Sequence, residues 1–116
     1  MARANRARGA AGEALVARWY EHRGCRVLDR NWRSPSGELD LVVADQDTVV
    51  FCEVKTRTSG RFGSGLEAVG PAKRRRLRRL AAAWLAAHRA VVRASDVRFD
   101  VASVADGHVE VVVDAF

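Results

Sequence analysis

The stretch from Glu38 to Thr56 reads ELDLVVADQDTVVFCEVKT and constrains the fold more than any other part of the chain. Two runs rich in β-branched residues, Glu38 to Ala44 and Thr48 to Thr56, are joined by the short polar turn Asp45-Gln46-Asp47, which is a hairpin pattern. From Thr48 to Val54 the second run is almost continuously apolar. That is the pattern of a strand covered on both faces, so other elements must lie above and below it. Charges placed late in such a strand are costly unless they are paired or hold an ion. Glu53 and Lys55 are charges of that kind.

The remaining elements follow from periodicity and punctuation. Gly9 to Arg23 reads as a helix with Leu15, Trp19 and His22 on one side, stopped by Gly24. Cys25 to Arg30 alternates weakly and is a candidate first strand. Asn31 to Gly37, NWRSPSG, is rich in turn formers and reads as a loop. Thr58 to Gly65, TSGRFGSG, reads as a flexible loop. Pro71 suits the first turn of a long helix reaching about Ala90. Along it Leu77, Leu80, Ala81, Trp84, Leu85 and His88 form a core-facing stripe. Val97 to Val104, a turn at Asp106-Gly107, and His108 to Val113 complete the pattern. There is no internal repeat. The order αβββαββ, with strands interrupted by a helix, predicts an α/β fold of one domain over residues 1–116: a mixed sheet flanked by helices.

Composition narrows the partners. The chain carries 20 Lys plus Arg against 14 Asp plus Glu, a formal charge of +6. Only Lys55 and Lys73 are lysines, and arginine's planar fork suits phosphate. A polyanion, with nucleic acid first, is the expected partner; a solvated basic surface explains the total equally well. No apolar run approaches the ~20 residues of a membrane span. The opening MARANRARGAAGEA lacks an apolar core segment, so a secretory signal and a membrane partner are not expected. Cys25 and Cys52 form no Cys-x-x-Cys pair and are expected to be reduced thiols in a cytoplasmic protein.

Strand alternation gives the chemistry. Glu38, Asp40 and Val42 are expected to share a face, as are Phe51, Glu53 and Lys55. A hairpin folded about Gln46 and Asp47 sets Asp40 opposite Glu53, and Lys55 across from Glu38. Facing carboxylates repel, and a divalent cation such as Mg²⁺ removes the repulsion, keeps several waters and also binds phosphates. A nearby ammonium can orient the attacking water and balance phosphate charge. The alternative is a solvated face of alternating charge.

These residues resemble the PD-(D/E)XK nuclease superfamily, whose motif is an acid on one strand followed by Glu or Asp, any residue and Lys on the next. Here the motif is Asp40, then Glu53-Val54-Lys55, with Leu39 where proline often stands. Gly12-Glu13, Asn31-Trp32-Arg33, Gly37-Glu38-Leu39-Asp40, Phe51-Cys52-Glu53-Val54-Lys55-Thr56-Arg57 and Arg98-Phe99-Asp100-Val101 together resemble the YraN-like family of bacterial proteins over nearly the whole chain. The resemblance implies a restriction-endonuclease-like sheet and a Mg²⁺- or Mn²⁺-dependent endonuclease acting on nucleic acid, DNA ahead of RNA. It implies Asp40, Glu53 and Lys55 as catalytic residues, with Asp40 and Glu53 on the metal. Glu38 and Glu13 are further candidates there, Glu13 reaching in from the first helix. An acid early in a helix also interacts well with the dipole, which is a sufficient reason for Glu13 by itself. A catalytically silent nucleic-acid-binding module is the alternative function, and a homodimer would let a one-sided site cut both strands.

From Pro71 to Arg93 there are eight basic residues and no acid. Within that run Lys73, Arg74, Arg75 and Arg78 are the candidates for backbone contacts, with Lys73 toward the apolar edge of the helix. Arg57 and Arg61 follow the motif and are candidate phosphate clamps. Arg3, Arg6 and Arg8 form a basic arm, expected to be flexible over 1–8. Trp32 is a candidate for base stacking or for the core, Trp19 and Trp84 are expected in the core, and Asp100 is expected to be structural.

Overall fold

The computed structural model describes residues 2–57, 69–90, 92–93 and 96–116, with the backbone alone for 2–8. The loop expected over Thr58 to Gly65, including Arg61, lies outside the described residues, as do the side chains of Arg3, Arg6 and Arg8. The elements are α1 (Ala2–Glu21), β1 (Arg26–Ser34), β2 (Gly37–Asp45), β3 (Thr48–Arg57), α2 (Pro71–Ala87), β4 (Asp96–Ala105) and β5 (His108–Val112). They form one five-stranded sheet in sequence order. β3 pairs antiparallel with β2 and parallel with β4, so the sheet is mixed and the fold is α/β in the expected order αβββαββ.

The continuous apolar run of β3 is explained by cover on both sides. Val49 and Phe51 join Val42, Val101, Leu77, Leu80, Ala81 and Trp84 in the layer under α2. Val50 and Cys52 join Leu41, Val43, Ala102, Val104, Val16, Ala17 and Tyr20 in the layer under α1. Pro71 opens α2 as expected, and its core stripe is Leu77, Leu80, Ala81 and Trp84. The helix ends at Ala87, short of Ala90, where His88 caps it. The β4–β5 turn places Asp106 and Gly107 at φ 51 and 77, the left-handed pair that matches strand twist in a two-residue hairpin.

Two expectations are corrected. In α1 the buried face is Val16, Ala17 and Tyr20, while His22 is exposed and Leu15 and Trp19 are only half-buried. The cause is Tyr20, whose hydroxyl must reach Asp100 beneath the helix and so fixes its rotation. Asn31 to Gly37 is not a loop. β1 runs on to Ser34, and a turn at Pro35-Ser36 returns the chain as β2. Trp32 pairs with Leu39, and the α2-side core it packs against holds the strand together through turn-forming residues.

Asp100 is fully buried in β4. Its carboxylate accepts the Tyr20 hydroxyl at 2.6 Å, Arg98 Nε at 2.9 Å, Arg98 Nη2 at 3.1 Å and the Asp114 amide at 3.0 Å. Arg98 Nη1 also donates to Asp45 at 3.2 Å. The network joins α1, β2, β4 and the segment after β5, which is the structural role expected for Asp100. Removing one partner of a buried pair strands the other. Asp100→Ala is therefore expected to lower stability by about 3 kcal/mol, and Tyr20→Phe by about 1 kcal/mol. Urea unfolding with unchanged m-values measures both, and an Asp100→Ala loss no larger than that of Tyr20→Phe would contradict the ranking.

Candidate functional site

The β2–β3 ladder runs from Asp45↔Thr48 to Leu41↔Cys52 and goes no further. The next pair in that register is Asp40 and Glu53, as a turn about Gln46 and Asp47 predicts. There the amide of Val54 donates to Asp40 Oδ2 at 2.9 Å instead of to a β2 carbonyl. A side chain thus takes the place of the ladder, and the strands open.

Simple alternation also breaks here. Leu39 and Val42, three residues apart, both lie in the α2-side core. Beside them Asn31 of β1 adopts φ 52, in the left-handed region that asparagine tolerates better than most residues. Glu38, Asp40 and Val42 therefore do not share one face as expected: Val42 is core, while Glu38 and Asp40 meet Glu13 of α1. One carboxylate oxygen from each of Glu13, Glu38 and Asp40 lies within 4.8 Å of the others. The Asn31 side chain lies beside Glu13 and favours its charged form. α1 comes this close because its neighbour is Gly12, where a Cβ would collide with Thr56 Oγ1 of β3.

Glu53 sits in different company. Its Oε1 is 2.7 Å from Lys73 Nζ and 3.4 Å from Lys55 Nζ, and its side chain is 9% exposed. Glu38 pairs with Arg33 at 3.4 Å, not with Lys55. Gly37, Glu38, Asp40, Glu53, Lys73, Arg76 and Leu77 line a cleft of about 350 Å³.

The acids crowd one another. Burial, then the Glu53 charge, and then Glu13 and Glu38, push the Asp40 carboxyl up to about 7 against the Val54 bond that lowers it. Burial also raises Glu13, with Glu38 adding to it. Burial lowers Lys55, as does the Lys73 ammonium beside it. Burial lowers Lys73, but the Glu53 carboxylate 2.7 Å away outweighs it and the net shift is upward.

Of the residues expected on nucleic acid, the structure draws only Lys73 into this cleft. Arg74 Nε donates to the Val69 carbonyl at 2.9 Å, and the Arg74 and Arg78 guanidiniums lie 5.5 and 5.3 Å from the Phe116 ring. Arg75 is exposed. Arg57 lines a separate hollow with Gly12, Thr56 and Asp106. Trp32 packs on the α2-side core. Two site residues went unread. Arg76, one turn beyond Lys73, was lost in the basic run, and helical spacing from Lys73 is the signal that finds it. Asn31 was read as part of a loop, and only its place beside Glu13 gives it a role.

Residues 12–104 match the model of the uncharacterised protein family UPF0102. The chain belongs to the UPF0102 family. A UPF0102 protein of Beutenbergia cavernae is 56% identical over 102 residues, covering 88% of this chain and 85% of that protein. One from Frankia casuarinae is 54% identical over 99 residues, covering 85% and 82%. One from Rhodococcus opacus is 46% identical over 117 residues, covering 97% and 98%. The YraN-like resemblance is thereby borne out. The matched span of the UPF0102 model includes every acid and lysine of the cleft. Among the described residues, no helix is long and apolar enough to cross a membrane.

The Asp40 carboxyl lies above its ordinary value of 3.8 in the folded protein, so the folded state keeps a proton that the unfolded chain has released. Between about pH 4 and 7 stability therefore falls as pH rises. Asp40→Asn keeps an acceptor for Val54 and removes the charge. Solvent at the cleft mouth screens the repulsion, which sets the expected gain at about 2 kcal/mol at pH 8 without divalent cations. The gain should vanish near pH 4. Paired urea titrations of variant and parent across that range measure it, and a pH-independent difference would remove Asp40 as the source.

Proposed function

We propose that this protein is a metal-dependent endonuclease that hydrolyses phosphodiester bonds in nucleic acid. The observation that carries this reading is the Asp40 carboxylate, placed where β2 and β3 part and crowded by Glu13, Glu38 and Glu53, with two lysines one side chain away. A fold gains nothing in stability from gathering four acids in and beside a half-buried cleft, and such crowding is typical of sites that bind cations. The donors are hard oxygens, which suit Mg²⁺ or Mn²⁺. Asp40, Glu13 and Glu38 are the residues that would hold the ion, with the second oxygen of Glu53 on the far side. A divalent cation bound there would lower the pKa of water and offset the charge that develops on the transferring phosphate.

The chain's own residues supply the rest. Val54 N–H fixes the rotamer of Asp40. Lys55 stands beside Glu53 and is positioned to orient the attacking water. Lys73 and Arg76 give the α2 side of the cleft positive charge for the flanking phosphate. The motif Asp40, Glu53-Val54-Lys55 supports the same reading through its resemblance to the PD-(D/E)XK superfamily. DNA is the expected substrate, and the net charge of +6 favours any nucleic acid over a neutral ligand.

Branched, flapped and single-stranded DNA and RNA, each with Mg²⁺ or Mn²⁺, form the substrate panel that tests this. The wild type is expected to cut at least one DNA member. Asp40→Ala and Lys55→Ala are each expected to slow cutting by about 100-fold or more, as loss of one transition-state contact does. Equal cutting by the variants, or no cutting of any member, would defeat the assignment.

A further inference from the structure

The cleft is not evenly charged. Its acidic wall is built by Glu38 and Asp40 of β2, and Glu13 of α1, which lines the adjoining hollow with Asn31, Arg33 and Glu38, brings a third carboxylate oxygen within 4.8 Å of theirs. Among the described residues the cation within ion-pair distance of that group is Arg33, which touches Glu38 at 3.4 Å from a side chain that is 77% exposed. The opposite wall is built by β3 and α2, and there the single acid Glu53 has two ammoniums on one oxygen, at 2.7 and 3.4 Å. Among the described residues the four carboxylates therefore separate into a trio whose ion pair is with the exposed Arg33 and a singleton that already carries two ammoniums.

Lys73 holds its place for a reason outside the site. It precedes Leu77 by four residues on α2, so it continues the stripe of Leu77, Leu80, Ala81 and Trp84 that packs on the sheet. At the first turn that stripe runs off the core and over the cleft, and the lysine goes with it. The helix N-terminus adds positive potential, and no acid in the first turn cancels it. A divalent ion brought against Glu53 Oε1 would meet both ammoniums and that helix end.

We propose that Lys73 fills the place a second divalent ion would take, so that the cleft holds a single ion on Glu13, Glu38 and Asp40. This rests on the reading of the protein as a metal-dependent nuclease. Lys73 and a metal ion are alternative counter-charges for Glu53, and removing the lysine takes away the closer of its two ammoniums, leaving only Lys55 at 3.4 Å to offset Glu53 beside Asp40. Arg76, at the cleft rim, contributes charge toward solvent and does not reach Glu53 within ion-pair distance.

Calorimetric titration of the full chain with Mn²⁺ tests this, with electron paramagnetic resonance of the same samples. The wild type is expected to bind one Mn²⁺ per chain with the six-line spectrum of an isolated ion. Lys73→Met is expected to bind two, with a spectrum broadened by spin coupling between close ions. Lys73→Arg, which keeps the charge, is expected to remain at one and controls for disturbance of α2. Two ions on the wild type, or one on Lys73→Met, would overturn the inference while leaving the metal site standing. Absence of binding by every protein would overturn both.

Discussion

The hydrogen bond from the Val54 amide to Asp40 is the interaction on which the cleft depends. A central strand normally gives its amides to neighbouring carbonyls, and a buried amide left unpaired costs as much as a lost bond. Here a carboxylate closes the account one step beyond the Leu41↔Cys52 pair. β2 is then free to part from β3 without stranding the amide. The same bond holds Asp40 in a fixed orientation. Opening of the sheet and placement of the acid are one event, and the left-handed Asn31 and the break in alternation between Leu39 and Val42 lie beside it.

Asp100 shows what the fold does with a buried carboxylate when nothing but stability is at stake. It receives a hydroxyl, an amide and two bonds from Arg98, so every lone pair is used and a matched charge stands beside it. Asp40 is half-buried, yet among the described residues it accepts one protein bond and faces other acids. Both meet residues of α1, Asp100 at Tyr20 and Asp40 at Glu13. A chain able to satisfy one aspartate so fully leaves the other crowded, and that contrast marks the cleft as the place where stability is given up.

Much of this was legible beforehand. The hairpin, its two-residue turn, the covered β3 and the αβββαββ order all follow from patterns with period 2 and period 3.6, and the register that sets Asp40 next to Glu53 follows from the turn at Gln46-Asp47. Glu13 was legible only through resemblance, because helical spacing gives no information on which face of a sheet a helix will cover. What stayed hidden had tertiary causes. Asn31 to Ser34 carries turn-forming residues, and only the packing of Trp32 against Leu39 and α2 makes it a strand. The rotation of α1 is set by one long-range bond from Tyr20, which no local pattern encodes. The parity of Glu38 failed because strict alternation assumes an unbroken strand.

The basic run of α2 carries the most instructive ambiguity. As a linear string it looks like one feature, a polyanion-binding stripe. On the helix it separates by position. Arg74 and Arg78 are four apart and lie against Phe116, itself stacked on Phe99, so part of their surface is spent on packing. Lys73 and Arg76 are three apart and line the cleft. Arg75 and Arg79 are exposed and four apart, on neither of those faces. The one lysine of the run is also the one member on the core stripe, where a flexible ammonium can bend back to a buried acid and a planar guanidinium would need a second partner to fill its fork. A charge at a core-stripe position in the first turn of a helix is thus a local signal that the stripe has left the core and entered a site, and it separates a site residue from its solvated neighbours without reference to any relative.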